Sequence, residues 1–490
     1  MKPIKLILVI LFLVSFGINA QQVYLDPNFG DKGTFSYSPM FGHTDINFDK
    51  DGNLYAVGFH NGPHDTDIWG TYHDPIIALV KIKSNGILDE NFGEAGKVIT
   101  KITDDNCYSF ANHRVVVQPD QKIVFSGLLT YKLPMGIRIN LFLVRCLPDG
   151  SLDDSFGENG IVILDQLNYS CDQEYSMLSL SDNSILLGIT FYNEENKNAP
   201  GVIKIKEDGS LDESFGNDGI LQFSSLSSQG NSSFPQLLKS SGGSVFGVAC
   251  IAGSSPSLAC FKFDFDGNLD ISFGDNGLFN TNVENKYSSI AFLIEQQDNK
   301  LIIGGSQWGC FRLNSNGILD GDFPLIKINV LDAALQEDGK ILLAGFLSEY
   351  LNITRLNIDG SIDIQCNNVE MPRGYIDLKF IDQKKLILKT FSQINFAKVI
   401  FDPDTTPIPN ITNEESISIT QESENISVRS ESPIQMIQLI NISAQVINTI
   451  SCAGKLQHSF SSASLPNGVY LIKIELTNGY SEIKKIITTK

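Results

Sequence analysis

The sequence predicts an all-β protein, a seven-bladed β-propeller followed by a small C-terminal antiparallel β-sandwich, and three observations predict it. A short corner recurs, as LDPNFGDKG (25–33), LDENFGEAG (88–96), LDDSFGENG (152–160), LDESFGNDG (211–219) and LDISFGDNG (269–277), with two eroded copies, LDGDFP (319–324) and IDIQCN (362–367). Between the copies lie hairpin signals such as VQPDQKIVFSG (117–127) and QEDGKILLAG (336–345), tight polar turns flanked by apolar, β-branched runs. A third run before each DG or NG turn, ALVKIKSNG or FLVRCLPDG for example, alternates apolar and polar residues as a half-buried strand does. Four short strands per unit, repeated seven times, are the requirement of a propeller, whereas solenoid rungs are shorter and lack the internal hairpin.

In chain order, residues 1–20 form the first element. Lys2 and Lys5, an apolar run from Ile4 to Phe16 and the small residue Ala20 have the make-up of a signal peptide, which places the mature start at Gln21. No later stretch has the length of uninterrupted apolar sequence a membrane-spanning helix needs.

The repeats occupy 21–402. In each corner, glycines such as Gly157 and Gly160 permit a tight backbone expected to carry the chain from the outer strand of one blade to the first strand of the next. The corner Phe is expected to wedge between neighbouring sheets, with Asp149 or Asp153 accepting from turn N–H groups. Residues 403–415, rich in Pro, Thr, Asn and Glu, form a linker, and 416–490 alternate as strands around Pro466-Asn467-Gly468 and Asn478-Gly479.

The formal net charge of −20 argues against nucleic acid or anionic lipid as a partner, since both require clustered Lys and Arg. Segments such as DKDG (49–52) and DFDG (264–267) resemble the start of a calcium loop but do not continue to a glutamate at its twelfth position. Eight cysteines are too dilute for a disulfide framework, and Cys260 and Cys310, each ten residues before a corner Asp, point to a shared buried slot. Cys107 and Cys171 likewise hold matching places after successive corners.

Chemical motifs are sparse: the chain has no H-E-x-x-H, no phosphate-binding loop and no G-x-S-x-G. The insert HNGPHDTDIWGTYHDP (60–75) makes His60 and His64 candidate metal ligands. The uniform FG and DG turns are expected at one end of the disc and the unequal segments 59–75, 129–140 and 191–200 at the other, where Trp69, Tyr72, Tyr131 and Tyr192, with His60 and His64, form a candidate ligand-binding face. No catalytic residue and no cofactor is assigned.

The recurring LDxxFGxxG corner with its DGKILLAG-like hairpins resembles the delta-60 repeat family over about 25–402, which implies the repeat architecture and no particular activity. The tail, through ISVRSESPIQMIQLINISAQVI, LPNGVYLIKI (465–474) and the basic finish KKIITTK, resembles the C-terminal sorting domain of the bacterial type IX secretion system. It departs from that family in carrying Ala444-Gln445 where a Gly-Lys pair is common. The resemblance implies the type IX machinery as a partner and a secreted or outer-membrane surface-attached destination. The expectation is therefore a monomeric, exported binding or adhesion module for an extracellular protein or glycan, not an enzyme; the alternative is an extracellular hydrolase or lyase acting on polysaccharide.

Overall fold

The computed structural model describes residues 22–37, 40–60, 65–67, 70–72, 76–103, 107–133, 136–165, 169–170, 175–192, 198–226, 236–251, 257–282, 290–305, 309–326, 329–347, 350–363, 369–370, 377–382, 385–389, 394–402, 417–422, 425–441, 446–463, 465–466, 468–477 and 481–488. At some of these, including 59–60, 65–67, 70–72, 107–112, 169–170 and 192, it describes the backbone alone. The chain divides into two compact units, Met1–Thr405 and Thr406–Lys490.

The described residues of the first unit form seven antiparallel sheets, numbered in chain order over residues 40–101 (sheet 1), 107–164 (2), 169–222 (3), 236–282 (4), 290–313 (5), 329–370 (6) and 377–402 (7), and one two-stranded ladder, Asp65–Asp67 with Gly70–Tyr72. Sheet 2 shows the plan: Cys107–Val117, Ile123–Leu133, Gly136–Cys146 and Ile161–Leu164 pair in sequence order, each strand with the next. The first strands of successive sheets then touch one another around the unit, ending where Lys379 in the first strand of sheet 7 donates to the Ile46 carbonyl of sheet 1 at 2.7 Å. Each sheet is apolar on both faces because it is packed on both sides, as in Val245–Ile251, where every residue is buried. These are the strands and the packing of a β-propeller.

One expectation is overturned. The FG corner does not cross between blades: corner 152–160 lies between the third and outer strands of sheet 2, since Gly136–Cys146 pairs directly with Ile161–Leu164. The repeat in sequence is therefore out of step with the blade by one strand. The strands around the corner at 25–33, Gln22–Leu25 and Thr34–Tyr37, pair with Ile394–Asp402 at the far end of the unit. The N-terminus thus supplies the outer strand of sheet 7. Eroded copies still turn the chain: after 319–324 a single bridge joins Ile326 to Cys310, and after 362–367 Val369–Glu370 pairs with the third strand of sheet 6.

The segments expected as long loops are also shorter than their sequence suggests. Residues 129–133 and 136–140 continue the second and third strands of sheet 2, in register from Ile123 opposite Cys146 to Leu133 opposite Gly136. Likewise Tyr192 pairs with Asn198 at the end of an eight-residue ladder. The strand pairing simply continues through these stretches, and Thr130, Asn140 and Thr190 are buried within them.

In the second unit the expected sandwich is one hydrogen-bonded sheet. Asn425–Asn441 pairs along its length with Val446–Ser461, and on its other edge with Ser418–Glu422 and then Gly468–Leu476, which pairs with Ser481–Thr488. Its register breaks between Arg429 and Ile434, around Pro433, and the two halves line a single core of Ile426, Val428, Ile437, Leu439, Ile472 and Ile474. The signal segment 1–20 and the linker 403–415 lie outside the described residues. Among the described residues no helix is long and apolar enough to cross a membrane.

Candidate functional site

The most heavily furnished place in the molecule is the corner. The corner Phe side chains are wedges: Phe156 is fully buried among Val124 of sheet 2 and Ile185, Leu187 and Ile203 of sheet 3. Phe29, Phe92, Phe215, Phe273 and Phe323 fill the corresponding gaps. Gly157 follows with φ of +58°, and a Cβ there would lie 2.2 Å from the Ile161 carbonyl oxygen, so the position admits no side chain.

That close approach serves a hydrogen bond between sheets. The Gly157 N–H donates to the Asp208 carbonyl in the turn of sheet 3 at 2.8 Å, and Gly30, Gly93, Gly216 and Gly274 donate in the same way to Asn85, Asp149, Asp266 and Asn316. In the first eroded copy Pro324 replaces the glycine and has no N–H to give.

A charge clamp accompanies each latch. In the third strand of every sheet a basic residue faces the corner Asp: Lys81 and Asp89 (3.4 Å), Arg145 and Asp153 (2.8 Å), Lys204 and Asp212 (3.5 Å), Lys262 and Asp270 (3.0 Å), Arg312 and Asp320 (2.8 Å), Arg355 and Asp363 (2.8 Å). The seventh pair, Lys398 and Asp26 at 3.2 Å, joins the two ends of the unit. Several of the cations also reach the next sheet: Lys398 donates to the Ser84 carbonyl at 3.1 Å, Lys204 to Phe265 at 3.2 Å and Arg312 to Ile358 at 2.6 Å. Where the strand residue is Arg, a Lys from the hairpin turn joins the same carboxylate: Lys122 on Asp153, Lys300 on Asp320 and Lys340 on Asp363.

These contacts set the ionisation of the corner acids. Burial would raise Asp153, but hydrogen bonds from Ser155 and Lys122 and the Arg145 charge outweigh it and hold the carboxyl at about 2. The Ser214 hydroxyl lowers Asp212, and the Ser272 hydroxyl and Lys262 lower Asp270. Acids held this firmly in the charged state cannot donate a proton near neutrality. The repeated acidic corner is a structural fastener. The sequence carried its signal, a basic residue eight positions before six of the seven corner Asp residues, which motif reading passed over.

Of the candidate ligand-binding residues, Tyr131 is the one whose side chain is described. It is 8% exposed, packed in the core between sheets 1 and 2, with the exposed Arg138 guanidinium 4.7 Å from its ring. Arg138 rather than Tyr131 is what this strand end presents to solvent. His64 and Trp69 lie outside the described residues, as do the side chains of His60, Tyr72 and Tyr192, although the backbones of those three sit in strands. Among the described residues no cluster of three or more His, Cys, Asp or Glu is placed to hold a metal. Cys260 and Cys310 are fully buried third-strand residues, and burial pushes the Cys310 thiol up to about 12; Cys171 and the Cys107 side chain lie outside the described residues. An open groove of about 500 Å³ lies on Leu238, Ser240, Leu293 and Leu335, and its carboxylate, Glu295, is already engaged by the Ser240 hydroxyl and the Ser241 N–H.

The second unit has its own ordered motif. In LPNGVY the Pro466 carbonyl accepts from the Tyr470 hydroxyl at 3.0 Å and the Thr488 hydroxyl at 2.6 Å, tying the turn to the last strand while Leu465 and Tyr470 enter the core.

Residues 417–489 match the family model of the secretion system C-terminal sorting domain. Residues 180–215 and 336–363 match the model of a β-propeller domain of unknown function, DUF5122; each segment runs from a hairpin turn to a corner and contains one clamp pair. No curated protein matches the chain in sequence. Solved structures similar to it include virginiamycin B lyase from Staphylococcus aureus (11% identity, TM-score 0.39, covering 75% of this chain and 98% of that one). PorZ, an essential surface component of the type-IX secretion system of Porphyromonas gingivalis, is 10% identical with a TM-score of 0.37, covering 91% of this chain and 59% of that one. The β-propeller domain of the Trilobed protease from Pyrococcus furiosus is 10% identical with a TM-score of 0.38, covering 77% and 99%. The sorting domain marks this chain as a secreted or outer-membrane surface-attached protein.

Proposed function

We propose that this chain, a β-propeller followed by a type IX secretion sorting domain, is a binding or adhesion module for an extracellular protein or glycan. The observation that carries the reading is the commitment of the corner acids to clamps. Each described carboxylate with a perturbed ionisation, Asp153, Asp212, Asp270 and Asp320 among them, is pushed downward, as a fastener requires and a general acid does not. The connections between second and third strands vary in length around a frame of uniform fasteners, a pattern suited to recognition on a rigid scaffold. Trp69, Tyr72 and Tyr192, with His60 and His64, remain the residues to test there.

The experiment is a thermal-shift screen of the mature chain against glycans, peptides and divalent metals, because a ligand that favours the folded state raises the melting point. A shift with a glycan or peptide that disappears on Trp69→Ala and Tyr72→Ala supports the module. Depolymerisation of a polysaccharide by the purified chain, without any such shift, overturns it in favour of an extracellular hydrolase or lyase.

A further inference from the structure

The corner end of the propeller differs along its circumference. The hairpin turns between first and second strands and the corners between third and outer strands share this end, because each sheet is an antiparallel meander. At sheets 2 and 3 the outward positions of the corner are Ser151 and Asp154, and Ser210 and Glu213. At sheets 4 to 6 the same end carries aliphatic side chains: Ile271 is 75% exposed, Ile318 56%, Leu319 52%, Leu325 54%, Ile358 53% and Ile362 53%.

Two of these have a specific origin. In the intact corners the second glycine seats its backbone on the corner leucine, as Gly277 does on Leu269 and Gly96 on Leu88, and those leucines are half-buried. The eroded corners have lost that glycine turn, leaving Leu319 and Ile362 uncovered while still aliphatic. Adjacent corners are in contact, through Gly274 donating to the Asn316 carbonyl and Arg312 to that of Ile358, so the six side chains lie along one arc. Six half-exposed aliphatic side chains together reach the size at which an apolar patch on a monomer marks an interaction site.

The charges on the arc select the occupant. Its cations Arg312, Lys300, Arg355 and Lys340 are spent on Asp320 and Asp363. Asp266, Asp322 and Asp359 are exposed and make no ion pair among the described residues. An apolar centre with an acidic border, on a chain of net charge −20, favours a basic partner and opposes a second copy of itself.

We propose that the corner rim of sheets 4 to 6 is a docking surface for a protein segment that presents aliphatic side chains flanked by Lys or Arg. It is a second surface, at the opposite end from the variable connections and independent of them. The test uses the full mature chain and two labelled decapeptides, one alternating Leu and Lys and one alternating Leu and Glu, followed by fluorescence anisotropy. The Leu/Lys peptide should bind, weaken as salt is raised, and lose about ten-fold or more in affinity on the triple change Ile318→Ser, Ile358→Ser, Ile362→Ser. The change Ile87→Ser, at an exposed isoleucine of sheet 1, should leave binding unaltered. All four side chains are more than half exposed, so the variants should fold, which their melting points check. Equal binding of the two peptides, or equal effects of the sheet 1 and triple variants, overturns the proposal. So does a dimer that the triple variant converts to monomer, which would make a second copy the occupant. Increased protease cleavage within 403–415 in the triple variant would assign the surface to the chain's own linker and equally overturn it.

Discussion

Replacing Lys398 by Met tests whether the closing clamp holds the two ends of the propeller together. The change keeps an unbranched apolar side chain and removes the ammonium group, which lies 5.6 Å from the Phe29 ring centroid and faces Asp26 at 3.2 Å. At an effective dielectric constant of 20 that separation corresponds to about 5 kcal/mol of attraction. Desolvation offsets part of it, and Asp26 keeps the hydrogen bond from the Asn28 N–H at 3.0 Å. With side chains only 12% and 9% exposed, the pair is close to the buried class, and removing one partner should cost about 2–3 kcal/mol. The chain's two tryptophans, Trp69 and Trp308, both fall in the propeller segment, so their fluorescence during urea unfolding follows that unit. Lys81→Met is the internal control: Asp89 retains Lys83 at 3.4 Å, so the loss should stay below about 1 kcal/mol. Equal losses for the two variants would refute the claim that the N-terminal strand is secured by this clamp. A smaller loss at Lys398 would do the same.

Three further outcomes follow from the same fasteners. The folded pKa of Asp153, about 2, lies below its ordinary 3.8, so its contribution is fully present above pH 4 and is lost as pH falls toward 2; after allowance for solvent screening it amounts to about 1–2 kcal/mol, and Asp153→Asn should flatten that part of an acid-unfolding curve. Phe156→Ala empties a fully buried wedge and should cost about 3–5 kcal/mol in a denaturant titration; a loss under 1 kcal/mol would mean that the gap between sheets closes without it. Gly157→Ala should cost several times more than Gly243→Ala, since both have positive φ but only the first would push a Cβ into backbone, whereas nothing lies within 4 Å of the second; equal thermal shifts would contradict the latch.

Strand type and repeat number were legible because each rests on local pattern: alternation fixes a strand, and the corner LDxxFG marks each return. The phase of the repeat against the blade was not legible. The same spacing fits a corner between blades or within one, and the difference lies in the pairing of Gly136–Cys146 with Ile161–Leu164, a tertiary fact. Tyr131 was misplaced for a related reason. With Pro134 and Gly136 inside it, the segment from Lys132 to Arg138 looks like a loop, yet its described ends continue two strands past the point where neighbouring hairpins stop, and Tyr131 turns inward. The clamp was present in sequence as Arg145 eight before Asp153, but strand lysines and arginines usually face solvent, so alternation alone gave no reason to pair them.

The offset between repeat and blade has a mechanical consequence that ties these features together. If each repeat folded into its own sheet, the first and last blades would meet only through side-chain packing. Because the first corner and its strand belong to the last sheet, the meeting is a ladder from Gln22 opposite Asp402 to Leu25 opposite Val399, continued by Thr34 opposite Ala397 and reinforced by the Lys398 clamp. The seam thereby acquires the same latch, wedge and ion pair as the interior junctions, through Gly30, Phe29 and Asp26. The weak junction falls instead between sheets 5 and 6, where Pro324 cannot donate and a single bridge at Ile326 stands in for an outer strand. Introducing Gly at 324 restores only the donor. If the missing N–H is what weakens that junction, Pro324→Gly should slow amide exchange at Ile326 and Cys310, whose N–H groups form the bridge; faster exchange would show that proline's stiffness matters more there than the absent hydrogen bond.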